Sequence, residues 1–169
     1  IECDPEADYS RVTRPRALPL LTPFETSRGK KWYWTTFSGD QVDLNYHCPY
    51  VLRDIMEVLF TYACRGARFI RLDAIGFVWK RPGTACMHLA ETHALIQLMR
   101  LMLTEIFPGT GILTETNVPH KENISYFGRG DEAHMVYQFP LPPLVLHTML
   151  AGNTDRLTAW AEGLSADPV

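Results

Sequence analysis

The sequence predicts an α/β fold built on a parallel sheet, and three observations carry that reading. From Pro49 onward, segments with apolar residues at helical spacing alternate with short apolar runs of strand length. Gly and Pro punctuate the joins, as at Gly66 and Pro108-Gly109. The connections between the apolar runs are long enough to hold a helix, so neighbouring strands would be parallel and joined by crossovers. At 169 residues, 46% of them apolar, the chain can bury one core.

The first 46 residues differ in character. "TRPRALPLLTPF" and "KKWYWTTFSGDQVDLNY" are rich in Pro, Thr and aromatics. They predict a loop-rich subdomain with short strands around Trp32 to Phe37. From residue 47 the regular unit begins. Leu52, Ile55, Met56, Leu59, Phe60 and Ala63 mark one face of a helix that Gly66 would end. Phe69 to Ile75 reads as a buried strand. Thr92 to Phe107 reads as a second helix, apolar at Leu95, Leu98, Met99, Met102 and Ile106. Gly111 to Thr116 and Met135 to Phe139 are the next strands, and a helical region from Leu141 breaks near Gly152. An arc of an α/β barrel and an open doubly wound sheet both satisfy this order.

Composition excludes several function classes. A net charge of −3 does not suit nucleic acid. No apolar run approaches the roughly 18 residues of a membrane span. Cys3, Cys48, Cys64 and Cys86 lack CxxC spacing and fit reduced thiols of a cytoplasmic protein. Cys86 and His88 form no metal-ligand set. "PGTG" is a helix stop without the spacing of a phosphate cradle. The opening "IECDPEADYS" has no initiator Met, so the sequence is expected to be a piece of a longer chain. Nothing in it sets an oligomeric state.

The run "ARFIRLDAIGFVWK" raises the chemical question, because Arg71 and Asp73 interrupt an apolar strand. Side chains alternate along a strand, so Phe69, Arg71 and Asp73 share one face while Ile70 and Leu72 take the other. Two charges buried on one face must pair, and the arginine would then favour an ionised, nucleophilic carboxylate. A structural ion pair at a strand end explains the same residues. "GILTETN" places Glu115 at the carboxyl end of the following strand, one strand–helix–strand step on. Two carboxylates at the carboxyl ends of neighbouring parallel strands stand where α/β sites lie. One paired and one less compensated, they can divide into a nucleophile and an acid.

These residues carry a resemblance. "RLDAIG" is similar to the nucleophile motif of the α-amylase superfamily, "LTETN" to its acid/base motif and "QVDLN" to a third motif near its small inserted domain. "RPR" at Arg14 to Arg16, "WTTFSGDQVDLNY", "GTACMHL", "NVPHKENISYFG" and "QFPLPPLVLHTML" resemble the sucrose phosphorylase-like subfamily along nearly the whole chain. The resemblance implies a partial (β/α)8 barrel, about strands 4 to 6, over residues 47–169. Residues 1–46 would be part of an inserted subdomain.

It also implies retaining α-glucosyl transfer by double displacement, with Asp73 as nucleophile and Glu115 as acid and base. Inorganic phosphate is the implied co-substrate of a carbohydrate donor, and no metal or organic cofactor is implied. Arg71 would orient Asp73, and Phe77, where many relatives have Tyr, would cover the sugar face. Asn117 stands where sucrose phosphorylases tend to have His. With His120, Lys121 and Arg16 it resembles relatives that act on anionic acceptors. Arg14 and Arg16 also read as solvated loop charges. Trp32, Tyr33 and Trp34 read as small-domain core rather than a sugar platform. Lys80 reads equally as site lining or as a surface lysine. The superfamily's Asp-x-x-x-Asn-His and His-Asp motifs, the latter supplying a third carboxylate, are not in this sequence, so the segment is expected to be inactive alone. A hydrolase or transglucosylase with the same carboxylates, and a non-catalytic interaction module, are the competing readings.

Overall fold

The computed structural model describes residues 1–165. Two sheets organise them. The first is antiparallel, with β1 (Glu2–Cys3), β2 (Leu21–Thr26) and β3 (Gly29–Trp34) in the order β1-β3-β2. The second is parallel, with β4 (Phe69–Leu72), β5 (Gly111–Thr114) and β6 (Met135–Val136) in sequence order. The helices in chain order are α1 (Pro49–Cys64), α2 (Ala90–Ile106), α3 (His120–Ile124), α4 (Leu141–Ala151) and α5 (Asp155–Ser165). The α/β class with a parallel sheet is therefore observed. The last four residues of the expected second unit lie outside the described residues.

Strand β2 departs from the expected loop. The strand tolerates Pro23 because β2 is an edge, where a missing amide hydrogen need not break the ladder. The hairpin to β3 closes through Ser27 and Arg28, with Thr26 Oγ1 donating to the Gly29 carbonyl at 2.7 Å. Trp34 fills the small core beneath this sheet with Val12, Leu20 and Cys86. Tyr9 meets its ring edge-on at 5.5 Å between centroids.

Helix α1 follows the expected boundaries. Pro49 supplies a preset first-turn φ, and Gly66 ends the helix at φ +92°, a conformation that a side chain would strain. Met56, Leu59 and Ala63 are buried, and Leu52, Ile55 and Phe60 pack against them. In α2 the core face is rotated from the expected one. Leu95 and Met99 are buried as expected, but so are Ile96 and Leu103, while Ile106 is exposed. The stripe follows Thr92, Ile96, Met99 and Leu103, a spacing that keeps one helix face toward the sheet.

The three parallel strands are shorter than expected. Each gives up its last residues to a turn: the chain leaves the ladder at Asp73, Glu115 and Tyr137. Ile75, expected in a strand, lies in a short 3-10 turn and still reaches the core. Ile70, Leu72 and Ile112 face the helices. The opposite face, with Phe69 60% exposed and Met135 and Tyr137 also exposed, is open.

A buried lysine joins the antiparallel sheet to the turn after β4. Lys80 is 4% exposed, against the expectation of a site-lining or surface residue. Its ammonium pairs with Asp43 at 2.7 Å, donates to Thr36 Oγ1 at 2.9 Å and to the Phe77 carbonyl, and lies 5.3 Å from the Trp34 ring centroid. Asp43 in turn accepts from the Thr36 amide and hydroxyl at 2.8 and 2.7 Å. Burial pushes the ammonium below its ordinary pKa, and Asp43 opposes that shift. Replacing Lys80 by Ala leaves Asp43 without its counter-charge, so unfolding free energy is expected to fall by about 3 kcal/mol. Denaturant titration measures it, and a change under about 1 kcal/mol contradicts the role.

Candidate active site

Two carboxylates sit at the same end of adjacent parallel strands. Asp73 follows β4 and Glu115 follows β5, with Leu72 and Thr114 in register just before them. The Glu115 amide donates to the Leu72 carbonyl at 3.0 Å, extending the ladder by one bond into the turn. Alternation then puts both side chains on the open face with Arg71. Arg71 Nη2 lies 2.8 Å from Asp73 Oδ1 and 3.9 Å from Glu115 Oε2. The two carboxylates are thus no further apart than those contacts allow. The guanidinium also lies 5.4 Å from the Tyr137 ring centroid. Slight burial works against its charge, but Asp73, then Glu115 and Tyr137, outweigh it and hold its pKa above the ordinary arginine value.

The expected pairing is present, but the expected burial is not. The Arg71 and Asp73 side chains are 44% and 72% exposed. Glu115 is better enclosed, at 17%.

The turn after β4 builds the rest. Ala74 adopts φ +48°, a left-handed conformation that a residue with a Cβ takes up at a cost. Its amide donates to Glu115 Oε2, 2.9 Å away. A backbone donor, a guanidinium and one strand end therefore fix the Glu115 carboxylate.

Glu115 opens into a cleft of about 390 Å³ that also takes in Arg16, Phe37, Phe77, Met87 and Asn117. Asp73 lines a smaller adjoining hollow of about 180 Å³, which shares Phe37, Ala74 and Phe77 with the first. Phe37 and Phe77 meet edge-to-face at 5.6 Å. Of the residues singled out from the sequence, Arg16, Phe77, Asn117 and Glu115 come together in one cleft. His120 and Lys121 open α3 and are not among its lining residues; nor is Arg14. Sequence reasoning missed Phe37 and Met87, although both lie in stretches whose order carried the resemblance. It also missed buried Asn123, which accepts from Thr116 Oγ1 at 2.8 Å and donates to the Tyr137 carbonyl at 2.7 Å. That side chain fastens the turn after β5 to the turn after β6. No spacing rule marks such an asparagine.

Among the described residues, no group of three or more His, Cys, Asp or Glu could hold a metal ion. No helix among them is long and apolar enough to cross a membrane.

Comparison with known proteins finds similarity along nearly the whole chain. No family model matches the chain. A glucosylglycerate phosphorylase of Escherichia coli (strain K12) is 58% identical over 167 residues, which are 98% of this chain and 30% of that protein. One from Allomeiothermus silvanus is 57% identical over 166 residues, again 98% of this chain and 30% of its own length. The chain thus spans about a third of the length of these curated relatives. The crystal structure of sucrose 6F-phosphate phosphorylase from Thermoanaerobacter thermosaccharolyticum superposes with a TM-score of 0.75 at 24% identity. That match covers 89% of this chain and 31% of the other, a likeness of fold.

The left-handed turn makes a prediction independent of activity. Ala74→Gly fits φ +48° without strain and is expected to leave stability within about 1 kcal/mol of the parent. Ala74→Val, β-branched, is expected to cost about 1–3 kcal/mol more. Thermal or denaturant unfolding of the pair measures the difference, and equal stabilities would show that the turn is not constrained.

Proposed function

We propose, on the premise that the chain belongs to the sucrose phosphorylase-like branch of the α-amylase superfamily, that it carries the nucleophile and the acid/base of a retaining glucoside phosphorylase. The observation that carries this reading is the placing of Asp73 and Glu115 at adjacent strand ends on one guanidinium nitrogen, at 2.8 and 3.9 Å. Retaining enzymes need their two carboxyl groups about 5 Å apart. In this reading the parallel sheet is about strands 4 to 6 of a (β/α)8 barrel. Residues 1–46 are part of an inserted subdomain and residues 47–169 part of the barrel. The third carboxylate lies elsewhere in the longer enzyme, so the segment alone is inactive. The unpaired thiols of the four cysteines suit a cytoplasmic enzyme.

The chemistry is a double displacement. An Asp73 carboxylate oxygen attacks the anomeric carbon of an α-glucoside as the glycosidic C–O bond breaks. Glu115 gives its proton to the leaving oxygen, and an ester between glucose and Asp73 results. A phosphate oxygen then attacks the same carbon. Glu115 takes up the phosphate proton, and the Asp73 ester bond breaks. α-Glucose 1-phosphate leaves with its configuration retained. Arg71 pairs with Asp73 at 2.8 Å and aims its carboxylate. Phe77 covers the sugar face, where an aromatic quadrupole stabilises positive charge developing at the anomeric carbon. Inorganic phosphate is the co-substrate, and no metal or organic cofactor takes part.

Arg16 beside Glu115 in the larger cleft favours an attacking or leaving anion over water, and so a phosphorylase over a hydrolase or transglucosylase. The intact set of Arg71, Asp73 and Glu115 argues against a non-catalytic module. The acceptor we assign is a small hydroxy acid of the glycerate type, bound by Arg16 and Asn117. His120 and Lys121, at the start of α3, draw the anion in from longer range.

In the full-length enzyme, glucose 1-phosphate release from glucosylglycerate is expected to require phosphate. Asp73→Asn is expected to abolish the covalent glucosyl-enzyme, as read by mass spectrometry. Glu115→Gln is expected to hurt donors with poor leaving groups most. Phosphate-independent turnover, or normal turnover by either variant, would overturn the assignment.

Acceptor choice is tested separately. Arg16→Ala is expected to weaken use of anionic acceptors in the reverse reaction by about 1.5–3 kcal/mol, the scale of a charge-assisted hydrogen bond. Neutral acceptors are expected to be spared. Equal losses on both acceptor classes would confine Arg16 to binding phosphate.

A further inference from the structure

Behind the turn that carries Asp73 and Ala74 lies a polar network that the chemistry above does not use. The His88 amide donates to the Gly76 carbonyl at 3.0 Å, and His88 Nδ1 is 2.6 Å from the Tyr126 hydroxyl. His88 reaches this place with φ +52°, in the left-handed region that a histidine takes up at a cost. Tyr126 is fully buried and belongs to the main core. Its ring stacks on His93 at 4.8 Å, and His93 Nδ1 is 2.7 Å from buried Glu132. Gly76 fits this arrangement without room to spare. A Cβ there would stand 3.1 Å from His88 Cε1 and 3.2 Å from the Tyr126 hydroxyl.

We propose that His88 and Tyr126 are positioning residues that hold the turn at Gly76, and through it the Ala74 amide on Glu115. The proposal rests on the catalytic roles assigned above to Asp73 and Glu115. Its geometry runs in one direction. Tyr126 is fully buried in the core, His88 hangs from its hydroxyl, and the His88 backbone grips the Gly76 carbonyl. Gly76 is two residues from Ala74, which sits at φ +48° with its amide 2.9 Å from Glu115 Oε2. Without the strut the turn can relax out of the left-handed region, and Glu115 loses its backbone donor. Burial holds the His88 imidazole below its ordinary pKa, with His93 adding to the effect, which suits a neutral ring bonded to a hydroxyl.

The pair acts through Glu115, so its loss should follow how much proton donation the leaving group needs. A merely structural role would reduce every donor alike. In the full-length enzyme, Tyr126→Phe keeps the ring on His93 and removes only the hydroxyl. Its kcat on a donor with a poor leaving group is expected to fall about tenfold to a hundredfold. With α-glucosyl fluoride, which departs with little protonation, kcat is expected to stay within about threefold of wild type. His88→Ala is expected to show the same split. His88→Asn offers an amide near the Nδ1 position and tolerates positive φ, so it is expected to recover most of what the alanine variant loses.

Equal losses on both donors, or an asparagine variant as impaired as the alanine variant, would overturn the proposal. If Tyr126→Phe fails to fold, the comparison of the alanine and asparagine variants decides by itself. A wild-type enzyme that turns over neither donor would instead overturn the proposed function, a result distinct from failure of the strut.

Discussion

The buried ammonium of Lys80 is the constraint on which the arrangement of the site depends. It is bonded at once to Asp43 and Thr36 near the end of the antiparallel sheet and to the Phe77 carbonyl in the turn after β4. Those partners belong to two parts of the chain, which also meet where Cys86 packs beside Trp34. Phe37 comes from one part and Phe77 from the other, and their edge-to-face contact forms a wall of the cleft. A cation taken out of water must have its hydrogen-bonding needs met from fixed directions. Hydrophobic contact alone would let the two parts slide; this requirement sets their register.

The second organising principle is strain held in place by packing. Ala74, Cys86 and His88 all adopt left-handed backbone without being glycine. They lie in two turns that meet at Gly76, where no side chain fits without displacement. Cys86 is buried beside Trp34, and the neighbouring Ala85 carbonyl accepts from the Thr13 amide at 2.9 Å. The loop from Arg81 to Leu89 is thus tied to the segment that carries Arg16 at one end and to the turn after Asp73 at the other. Each tie is worth about a kilocalorie or so on its own. Acting on one short loop, the ties leave few alternative conformations.

Much of this was legible in the sequence, and the failures have physical causes. The helical face of α1, the existence of α2, the parallel strands and the carboxylates at their ends follow from periodicity, which reports which side of an element meets the core. Strand ends were overextended because an apolar residue such as Ile75 serves a core equally well from a turn. Strand β2 was missed because proline is forbidden only where its amide would be needed, and edge status is a tertiary fact. Lys80 was misjudged for a related reason. A lysine is buried only when partners such as Asp43 and Thr36 await it, and those lie more than thirty residues away in sequence. His88 and Tyr126 carried no local signal, since neither belongs to a ligand pattern.

The open face of the parallel sheet bears on when the carboxylates acquire their character. Asp73 and Arg71 touch at 2.8 Å yet remain largely in water. There the solvent weakens the field between them. Moving such a pair from bulk water to a protein-like surround strengthens their attraction roughly fourfold, while stripping hydration from each charge opposes the move. Whatever covers this face therefore performs an electrostatic act as well as a mechanical one. Covering this face would turn a hydrated ion pair into a more strongly coupled one.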